Sequence, residues 1–349
     1  MIQTSVFGRT ADGKNVLAFR IKDGANEAVI LSMGGIIQSL RIADRHGYPV
    51  DVVLGYNDVA SYEQNGGYLG ALIGRCANRI DKGHMVIDGV DYDLYQNDNG
   101  NHLHGGKVGF DRRLWNYVFE GSDGNTLALT LHSPDGEESY PGNLNVQVRY
   151  SLVGGELKIE YQALSDKKTV INLTNHAYFN LDGEDSGDVL DTTLRINANK
   201  ITPTDALLIP HGGFRDVTGT PFDFRTGRKI GERIGYTEDA DIRNGNGYDV
   251  NYLLNKRMGE YAKVAEAESE KSGIAMEVYT NMPALQLYTG NGLDQDGKSG
   301  HYGPHAGFCL ETQFIPNAVN CPSYALHGDP VYDKNRLYRF TTAYKFVRK

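Results

Sequence analysis

The sequence contains little proline, few cysteines and no long apolar run. Of its 349 residues, 11 are proline, three are cysteine and one is tryptophan. Cys76, Cys309 and Cys321 form no Cys-x-x-Cys pair. An odd number of cysteines is typical of free thiols in a reducing compartment rather than of a disulfide framework. The longest apolar stretch, near residues 28–40, is interrupted by Gly34-Gly35 and is too short to cross a bilayer.

Basic residues are fewer than acidic ones, 35 against 44, so the formal net charge is −9 and the sequence pI is about 5.6. Nucleic acids and anionic membranes are bound through basic surfaces, so both are disfavoured as partners. The first residues, Met1 to Ser5, lack the basic segment and the apolar run of a signal peptide. Together with the unpaired cysteines, this leads us to expect a cytoplasmic protein.

Helical periodicity is rare, and the clearest candidate is a short turn at residues 58–63. Alternation of period two dominates instead, at 127–131, 144–150 and 338–346. Hairpin signals lie between apolar alternations; they are Asp88-Gly89, Asp123-Gly124 and Gly154-Gly155. The sequence therefore predicts an all-β fold, a large antiparallel β-sandwich with few short helices. Without a repeat or a convincing linker, residues 1–349 are expected to form a single domain.

Two segments near the start interrupt the strand pattern with ionisable residues. Segment 74–80 contains Arg75 and Arg79, four residues apart, for which a surface salt bridge is the simpler interpretation. Segment 101–106 contains the pair His102-x-His104, which in a β-rich protein places two imidazoles on one face of a strand. Residues 105–110 supply no further metal ligand, so this pair alone does not indicate a metal site.

Two later segments are polar where a strand would be buried. In segment 172–181, His176 is surrounded by asparagine and tyrosine side chains, which is unusual for a purely structural histidine. In segment 307–313, Glu311 follows four residues typical of a buried strand. Burying a carboxylate is costly unless the group is paired or functional. A structural ion pair remains the alternative for Glu311.

Taken together, these segments resemble the aldose 1-epimerase (galactose mutarotase) family. Residues 172–181 reproduce the family's Asn-x-Thr-Asn-His-x-Tyr-Phe-Asn-Leu signature without a mismatch. Similar segments occur in the same order; they are Gly-Arg-x-Ala-Asn-Arg-Ile at 74–80, Asn-His-Leu-His-Gly-Gly at 101–106, Thr-Pro-Thr-Asp at 202–205, Gly-Thr-Pro-Phe-Asp-Phe-Arg at 219–225, Gly-Tyr-Asp at 247–249, Gln-Leu-Tyr-Thr-Gly-Asn at 286–291 and Leu-Glu-Thr-Gln at 310–313. The resemblance extends from about residue 25 to the end of the sequence.

The resemblance implies a galactose mutarotase-like supersandwich and an isomerase that interconverts the α and β anomers of free aldohexoses such as galactose or glucose. It implies that Glu311 is the general base, that His176 is the general acid, and that His104 is a further catalytic and sugar-binding group. Other implied sugar-binding residues are Asn78, Arg79, Tyr178, Asp249 and Gln286. His102 and Arg75 are supporting residues without an assigned role. No cofactor and no metal are implied.

The expected chemistry is ring opening followed by reclosure. A base removes the proton of the C1 hydroxyl while an acid protonates the ring oxygen, so two proton transfers suffice. Reference pKa values of about 4.3 for glutamate and about 6.5 for histidine predict an ionised Glu311 and a partly protonated His176 at neutral pH. A nearby carboxylate such as Asp249 is expected to keep this imidazole charged. His104 and Arg79 are expected to stabilise charge on sugar oxygens.

Three alternatives remain open on the sequence alone. A non-catalytic carbohydrate-binding protein would use the same polar and aromatic contacts without an acid–base pair. A relative acting on sugar phosphates requires clustered cations, and Arg112 and Arg113 follow closely after His104. A metal-dependent, cupin-like enzyme would use His102 and His104 but lacks a local third ligand.

Overall fold

A computed structural model describes residues 2–64, 66–121 and 124–349. Strand accounts for 45% of the chain and helix for 8%. The prediction of an all-β fold is therefore confirmed.

The first part of the chain forms an antiparallel meander whose five strands are β1 (Gln3–Arg9), β2 (Asn15–Asp23), β3 (Asn26–Leu31), β4 (Ile37–Ala43) and β5 (Pro49–Asp51). Five short strands follow, which are β6 (Leu72–Ile73), β7 (Arg79–Ile80), β8 (His84–Ile87), β9 (Val90–Asp93) and β10 (His102–Leu103). The middle of the chain contains the strands β11 (Asn116–Glu120), β12 (Thr126–Ser133), β13 (Leu144–Val153), β14 (Glu156–Ser165), β15 (Thr169–Val170) and β16 (Thr174–Asn175).

The second half contains both short and long strands. These are β17 (Thr193–Ile196), β18 (Ala198–Thr202), β19 (Arg215–Asp216), β20 (Arg228–Lys229), β21 (Asp249–Leu254), β22 (Ala262–Glu268), β23 (Ile274–Thr280), β24 (Ala284–Tyr288), β25 (Gln295–Asp296), β26 (His301–Tyr302), β27 (Cys309–Gln313), β28 (Val331–Tyr332) and β29 (Tyr338–Arg348).

Helices in the described ranges are short. The α-helices are α1 (Val59–Gln64), α2 (Ala240–Gly245) and α3 (Pro322–Ala325), and the 3₁₀ turns are Asp81–Gly83, Phe110–Arg112, Glu137–Ser139 and Ile230–Glu232. The turn expected at residues 58–63 corresponds to α1. Asp58 begins this helix, because its carboxylate accepts a hydrogen bond from the backbone N–H of Ser61 at 2.8 Å. No helix in this part of the chain has the length and apolar character needed to cross a membrane.

Besides the meander and several two-stranded sheets, the described residues form two further sheets of five or more strands. One has nine strands in the order β11-β12-β13-β14-β29-β23-β22-β17-β20, and the other has five in the order β19-β18-β21-β24-β27. Every strand pair in these sheets is antiparallel. The turns at Asp88-Gly89 and Gly154-Gly155 join paired strands as expected. Asp123, in the third expected hairpin turn, lies outside the described residues.

The core lies between the sheets. In β13, apolar residues such as Val146 and Val148 are buried, while the alternating polar residues face outward. The largest hydrophobic cluster takes side chains from the β1–β5 meander, for example Ile30, from the nine-stranded sheet, and from the five-stranded sheet, for example Leu287. Faces of all three sheets therefore pack together, which confirms the predicted large antiparallel sandwich.

Two polar residues of the sequence clusters belong to this framework. The Arg75 guanidinium is buried and donates hydrogen bonds to the side chain and carbonyl of Ser133 and to the carbonyls of Pro134 and Pro141, at 2.8–3.1 Å. These bonds join the segment after β6 to the end of β12. The surface salt bridge considered for Arg75 is therefore replaced by a buried set of hydrogen bonds to backbone and hydroxyl groups.

His102 is likewise structural. Its Nδ1 lies 2.7 Å from the carbonyl oxygen of Tyr95, and its Nε2 lies 2.5 Å from the hydroxyl of Tyr140. A carbonyl only accepts, so Nδ1 carries the proton and Nε2 accepts from the tyrosine. Burial lowers the pKa of His102 to about 4, which keeps this arrangement neutral.

We expect the substitution Arg75→Met to lower the free energy of unfolding by about 3 kcal/mol, because it leaves several buried acceptors without a donor. Urea denaturation measures the change. Arg348→Met is the matched control, since Arg348 is exposed at the end of β29, and it should shift stability by less than about 0.5 kcal/mol. Equal stability of Arg75→Met and wild type would show that these bonds contribute nothing net.

Candidate active site

The register of β21, β24 and β27 gathers polar side chains on one face of the five-stranded sheet. Asp249 is opposite Tyr288, Tyr288 is opposite Cys309, and Gln286 is opposite Glu311. Directly opposed residues project to the same face, and so do residues two apart on one strand. Asp249, Gln286, Tyr288, Cys309 and Glu311 therefore share one face, while Leu287 and Leu310 between them enter the core.

The segment that contains His176 is buried although it is polar. Its asparagines bond to backbone groups of neighbouring segments: Asn172 accepts from the N–H of Phe314, Asn175 donates to the carbonyl of Gly70, and Asn180 donates to the carbonyl of Ala306. His176 follows β16, and its N–H donates to the Ala71 carbonyl at 2.8 Å. The density of asparagine thus reflects how the segment is fixed, and it holds the His176 backbone in place.

His104 is positioned by two loops that approach closely. The backbone N–H of Asn78 donates to His104 Nδ1 at 3.2 Å, and the His104 N–H donates to the Asn78 carbonyl at 3.2 Å. The next residue, Gly105, has a φ of +89°, and a Cβ there would lie 1.9 Å from the carbonyl oxygen of Gly74. Because Nδ1 accepts, the proton of neutral His104 sits on Nε2.

These elements enclose a cavity of about 530 Å³. Its lining residues are Gly66, Gly67, Tyr68, Asn78, Arg79, Leu103, His104, His176, Tyr178, Leu208, Gly245, Asn246, Asp249, Tyr288, Asn291, Gly292, Leu293, Asp294, Gln295 and Glu311. His176 Nε2 lies 3.7 Å from Glu311 Oε1, and the rings of His104 and His176 are 5.2 Å apart. The histidine and carboxylate side chains predicted from the sequence therefore face one volume.

Burial sets the charges of this pair. It raises the pKa of Glu311 well above its usual value, and it lowers the pKa of His176 to about 4. Loss of hydration is the largest cause for both groups. The expectation that His176 is kept charged was therefore wrong in direction. Both directions favour a protonated carboxyl group beside a neutral imidazole.

Asp249 is held by Gln286 and Arg79. Gln286 Nε2 donates to Asp249 Oδ1 at 2.6 Å, and Arg79 Nη1 lies 3.9 Å from Asp249 Oδ2. Arg79 Nε also donates to Asp98 at 2.7 Å. Among the described residues, Gln286 does not line the cavity but bonds to Asp249, whereas Arg79, Asp249, Asn78 and Tyr178 do line it.

Several lining residues were not singled out from the sequence. The ring of Tyr68 lies 4.7 Å from that of His104 and 5.9 Å from that of His176, and Tyr288 lies 6.2 Å from His176. Cys309 is not among the described lining residues, but its Sγ lies 3.5 Å from His176 Nδ1. Tyr288 and Cys309 stand inside segments already recognised, so the alternation from Gln286 and Glu311 could have found them. Tyr68 lies outside these segments, and no pattern in the neighbouring sequence indicates that it belongs to the site.

Backbone conformation also distinguishes the cavity. Five non-glycine residues that line it have φ between +51° and +62°, namely Tyr68, Asn78, His104, Leu208 and Asn246. Such left-handed conformations are uncommon for residues with a Cβ and are enriched at functional sites.

Two cationic residues considered for phosphate binding take other partners. Arg113 is paired with Glu137, and Arg112 lies 3.5 Å from Asp111. Neither lines the cavity in the described part of the chain. Arg79 is thus the cation at the cavity wall, and carboxylates already neutralise it.

One cluster has the side-chain types of a metal site. A ligand atom from each of His104, His176 and Glu311 lies within 4.8 Å of the others. The spacing of residues near His102 and His104 does not reveal this set, because its members are separated by more than 70 residues. Ligands of a tetrahedral zinc ion are about 3.4 Å apart, so the cluster would have to contract around an ion.

Comparisons of sequence and of structure with known proteins both identify one family. The sequence profile of the aldose 1-epimerase family matches residues 18–345. The chain is 42% identical to galactose mutarotase of Sus scrofa, covering 99% of this chain and 98% of that protein, and 36% identical to aldose 1-epimerase of Escherichia coli (strain K12), covering 96% of each. The crystal structure of galactose 1-epimerase from Lactobacillus acidophilus superposes with a TM-score of 0.87 at 29% identity, covering 100% of this chain and 99% of that one. The chain belongs to the aldose 1-epimerase family.

Proposed function

We propose that this chain interconverts the α and β anomers of a free aldohexose, with Glu311 and His176 as the proton-transfer pair. The observation that carries the proposal is the 3.7 Å separation of His176 Nε2 and Glu311 Oε1, two buried side chains at the wall of one cavity. The C1 hydroxyl and the ring oxygen are both bonded to C1, so their two catalysts must lie close together. Family membership supports the same reaction.

The pair needs one proton in total to complete the cycle. Ring opening begins with carboxylate and imidazolium, and it ends with a carboxylic acid and a neutral imidazole once the proton of O1 has moved to Glu311 and that of His176 to the ring oxygen. Burial favours the second of these two states. Reclosure of the open-chain aldehyde uses that state, with His176 as base and Glu311 as acid.

Other lining groups are suited to hold and polarise the sugar. Neutral His104 presents Nε2–H, and Arg79 presents guanidinium N–H groups, both of which stabilise charge on sugar oxygens. Asn78 and Asp249 offer hydrogen bonds to hydroxyl groups. Gln286 is proposed to act through Asp249, whose orientation it fixes.

Substrate choice is inferred from the relatives and from charge. Mammalian relatives at 41–42% identity are named galactose mutarotase, so galactose is the first substrate to test, followed by glucose. A phosphorylated sugar is disfavoured because Arg79 is already engaged by Asp98 and Asp249. A purely carbohydrate-binding role is disfavoured because it provides no reason to bury an unpaired Glu311 oxygen beside an imidazole.

Two further properties are part of the proposal. A single domain is supported by the largest hydrophobic cluster, which includes both Ile2 and Phe346. A cytoplasmic location is supported by three buried cysteines that form no disulfide.

Glu311→Gln and His176→Asn should each reduce kcat by about 10²–10⁴-fold, because each removes one proton-transfer group. Polarimetry of fresh α-galactose and α-glucose gives the initial rates, after circular dichroism has verified folding. Glu184→Gln is the matched control: Glu184 is also buried, but it bonds to Tyr302 outside the cavity, and its variant should keep near-normal kcat. Near-normal kcat for Glu311→Gln would leave the carboxylate structural.

The pH dependence of kcat/KM should be bell-shaped, with its acid limb well below the ordinary histidine pKa. The active pair holds one proton, and it gains a second only near the lowered pKa of His176, about 4. It loses its last proton above the usual glutamate range, since burial raises the pKa of Glu311. These limbs report the pair rather than single residues. Rates are measured from about pH 4 to about pH 9 and corrected for spontaneous mutarotation; an acid limb near 6.5 would contradict this assignment.

Activity should survive chelation. Dialysis against EDTA followed by assay in metal-free buffer tests whether the cluster of His104, His176 and Glu311 works without an ion. Unchanged kcat, with no zinc found by elemental analysis, is the expected outcome. Loss of activity that zinc restores would reassign these three residues as a metal centre.

A further inference from the structure

The guanidinium of Arg79 is paired with a carboxylate that does not itself line the cavity. Arg79 Nε donates to Asp98 Oδ2 at 2.7 Å, and the side chain of Asp98 is only 20% exposed. Arg79 is among the described lining residues, whereas Asp98 is not. The turn that contains Asp98 is closed by two backbone hydrogen bonds with Asn101, at 2.7 and 3.0 Å. Asp98 is therefore a fixed neighbour of a cavity residue.

The terminal nitrogens of Arg79 remain available to a ligand. In the described part of the chain, no acceptor lies within hydrogen-bond distance of either Nη group, since Asp249 Oδ2 is 3.9 Å from Nη1. An arginine with such an available edge binds carboxylate and phosphate groups in a bidentate manner and more strongly than neutral hydroxyl groups. Arg79 would therefore favour an anionic sugar over a neutral one, unless its charge is already balanced.

Three other ionisable groups of the cavity contribute no charge. Burial raises the pKa of Glu311 and lowers that of His176, which favours a carboxylic acid beside a neutral imidazole. Burial also lowers the pKa of His104 well below its usual value, so this imidazole is neutral as well. The field in the cavity is therefore set by the remaining charged groups.

Those remaining groups bear more negative than positive charge. Among the described lining residues, they are Arg79, Asp249 and Asp294. Asp294 is exposed and lies 3.0 Å from His301, so water and this partner weaken its field in the cavity. Asp98 contributes a further carboxylate, which is less exposed and in direct contact with the only cation of this set.

We propose that Asp98 determines the specificity of this site for neutral aldoses, because it neutralises Arg79 and so denies that cation to the carboxylate of a uronic acid or the phosphate of a sugar phosphate. Asp98 does not touch the sugar and acts through Arg79. The inference rests on the proposed function, since it names which class of aldose the cavity accepts.

Distance sets the size of the effect. An anion that accepts a hydrogen bond from an Nη group of Arg79 lies within about 8 Å of Asp98 Oδ2. At the effective dielectric constant of about 20 near a protein surface, repulsion between two unit charges at this distance weakens binding by up to about 30-fold, and access of water to the cavity reduces this to about 10-fold. A hydroxyl group has no net charge and is not repelled in this way. The Asp98 carboxylate therefore discriminates by charge.

A simpler role for Asp98 is to orient Arg79 through the hydrogen bond from Nε. Asparagine retains that bond, because its amide oxygen also accepts, but it lacks the charge. Alanine lacks both the acceptor and the charge. The substitutions Asp98→Asn and Asp98→Ala therefore separate the effect of the charge from that of the hydrogen bond.

Asp223 provides a matched control. It accepts from Nε and from Nη2 of Arg225, both at 2.8 Å, and its side chain is 21% exposed, close to the value for Asp98. Neither Asp223 nor Arg225 is among the described lining residues. Asp223→Asn thus removes a carboxylate from an arginine pair of the same kind that does not contact the cavity.

Polarimetry of galactose, galacturonate and galactose 6-phosphate at neutral pH, corrected for the spontaneous rate, measures the specificity. Wild type and Asp223→Asn should favour galactose over either anion by at least about 10-fold in kcat/KM. Asp98→Asn should narrow that preference by about 10-fold through a lower KM for the anions, because repulsion acts equally on the bound sugar and on the transition state. The ratio of kcat/KM values is the readout, so a general loss of activity cancels.

The two variants of Asp98 differ in what they do to galactose. Asp98→Ala should narrow the preference as well, but it should also lower kcat/KM for all three sugars because Arg79 is no longer oriented. If only one anion gains in Asp98→Asn, that anion is the class that Asp98 excludes. A preference that Asp98→Asn leaves at its wild-type value would overturn the proposal and reduce Asp98 to an orienting role.

Binding supplies a readout that does not depend on turnover. Solutions of galactose and galacturonate at anomeric equilibrium undergo no net reaction, so isothermal titration calorimetry reports their dissociation constants alone. The ratio of the two constants should shift by about 10-fold toward galacturonate in Asp98→Asn and stay unchanged in Asp223→Asn. Near-normal kcat for Glu311→Gln would remove the proposed proton-transfer pair while this ratio still decided the role of Asp98. An unchanged ratio in Asp98→Asn would overturn the inference and leave the proposed reaction intact.

Discussion

The antiparallel ladder of β21, β24 and β27 is the constraint from which the site follows. Its register sets Asp249, Gln286, Tyr288, Cys309 and Glu311 on one face and leucines on the other. A slip of one residue would exchange the two faces, placing a carboxylate in the hydrophobic core and leucine in the cavity. The leucines that pack in the core therefore hold the polar face in register. The stability of the sandwich and the placement of the reacting groups have a common cause.

Burial also gives this cavity its chemical character. Glu311 and His176 lose most of their hydration, which raises the pKa of Glu311 and lowers that of His176 until the order of the two is reversed. The result is a neutral pair with one mobile proton, which neither residue type would form in water. The cavity backbone adds strain, because residues such as Asn78 and His104 adopt left-handed conformations that cost of order 1–3 kcal/mol each. The large core of the sandwich is able to carry that cost.

Much of the fold was predictable because its signals are local. The alternation at 127–131, 144–150 and 338–346 corresponds to β12, β13 and β29, and the turns at Asp88-Gly89 and Gly154-Gly155 join β8 to β9 and β13 to β14. Strand order was not predictable, since pairing between β14 and β29 joins residues 175 to 189 positions apart. In the site, Glu311 and His176 were found through motifs, whereas Tyr68 was missed because it meets the histidines only in three dimensions. The charge of His176 was misjudged because reference pKa values do not include the effect of burial on the charged form.

The strand order has a consequence for how the molecule is made. The strand β29 occupies the middle of the nine-stranded sheet, between β14 and β23. During synthesis the two halves of that sheet emerge first, with their inner edges unpaired and their apolar faces uncovered. They join only after residues 338–348 have left the ribosome, which makes closure slow and late because these contacts are so distant along the chain. Until then, the nascent protein presents open strand edges, which are sites of unwanted pairing with other chains.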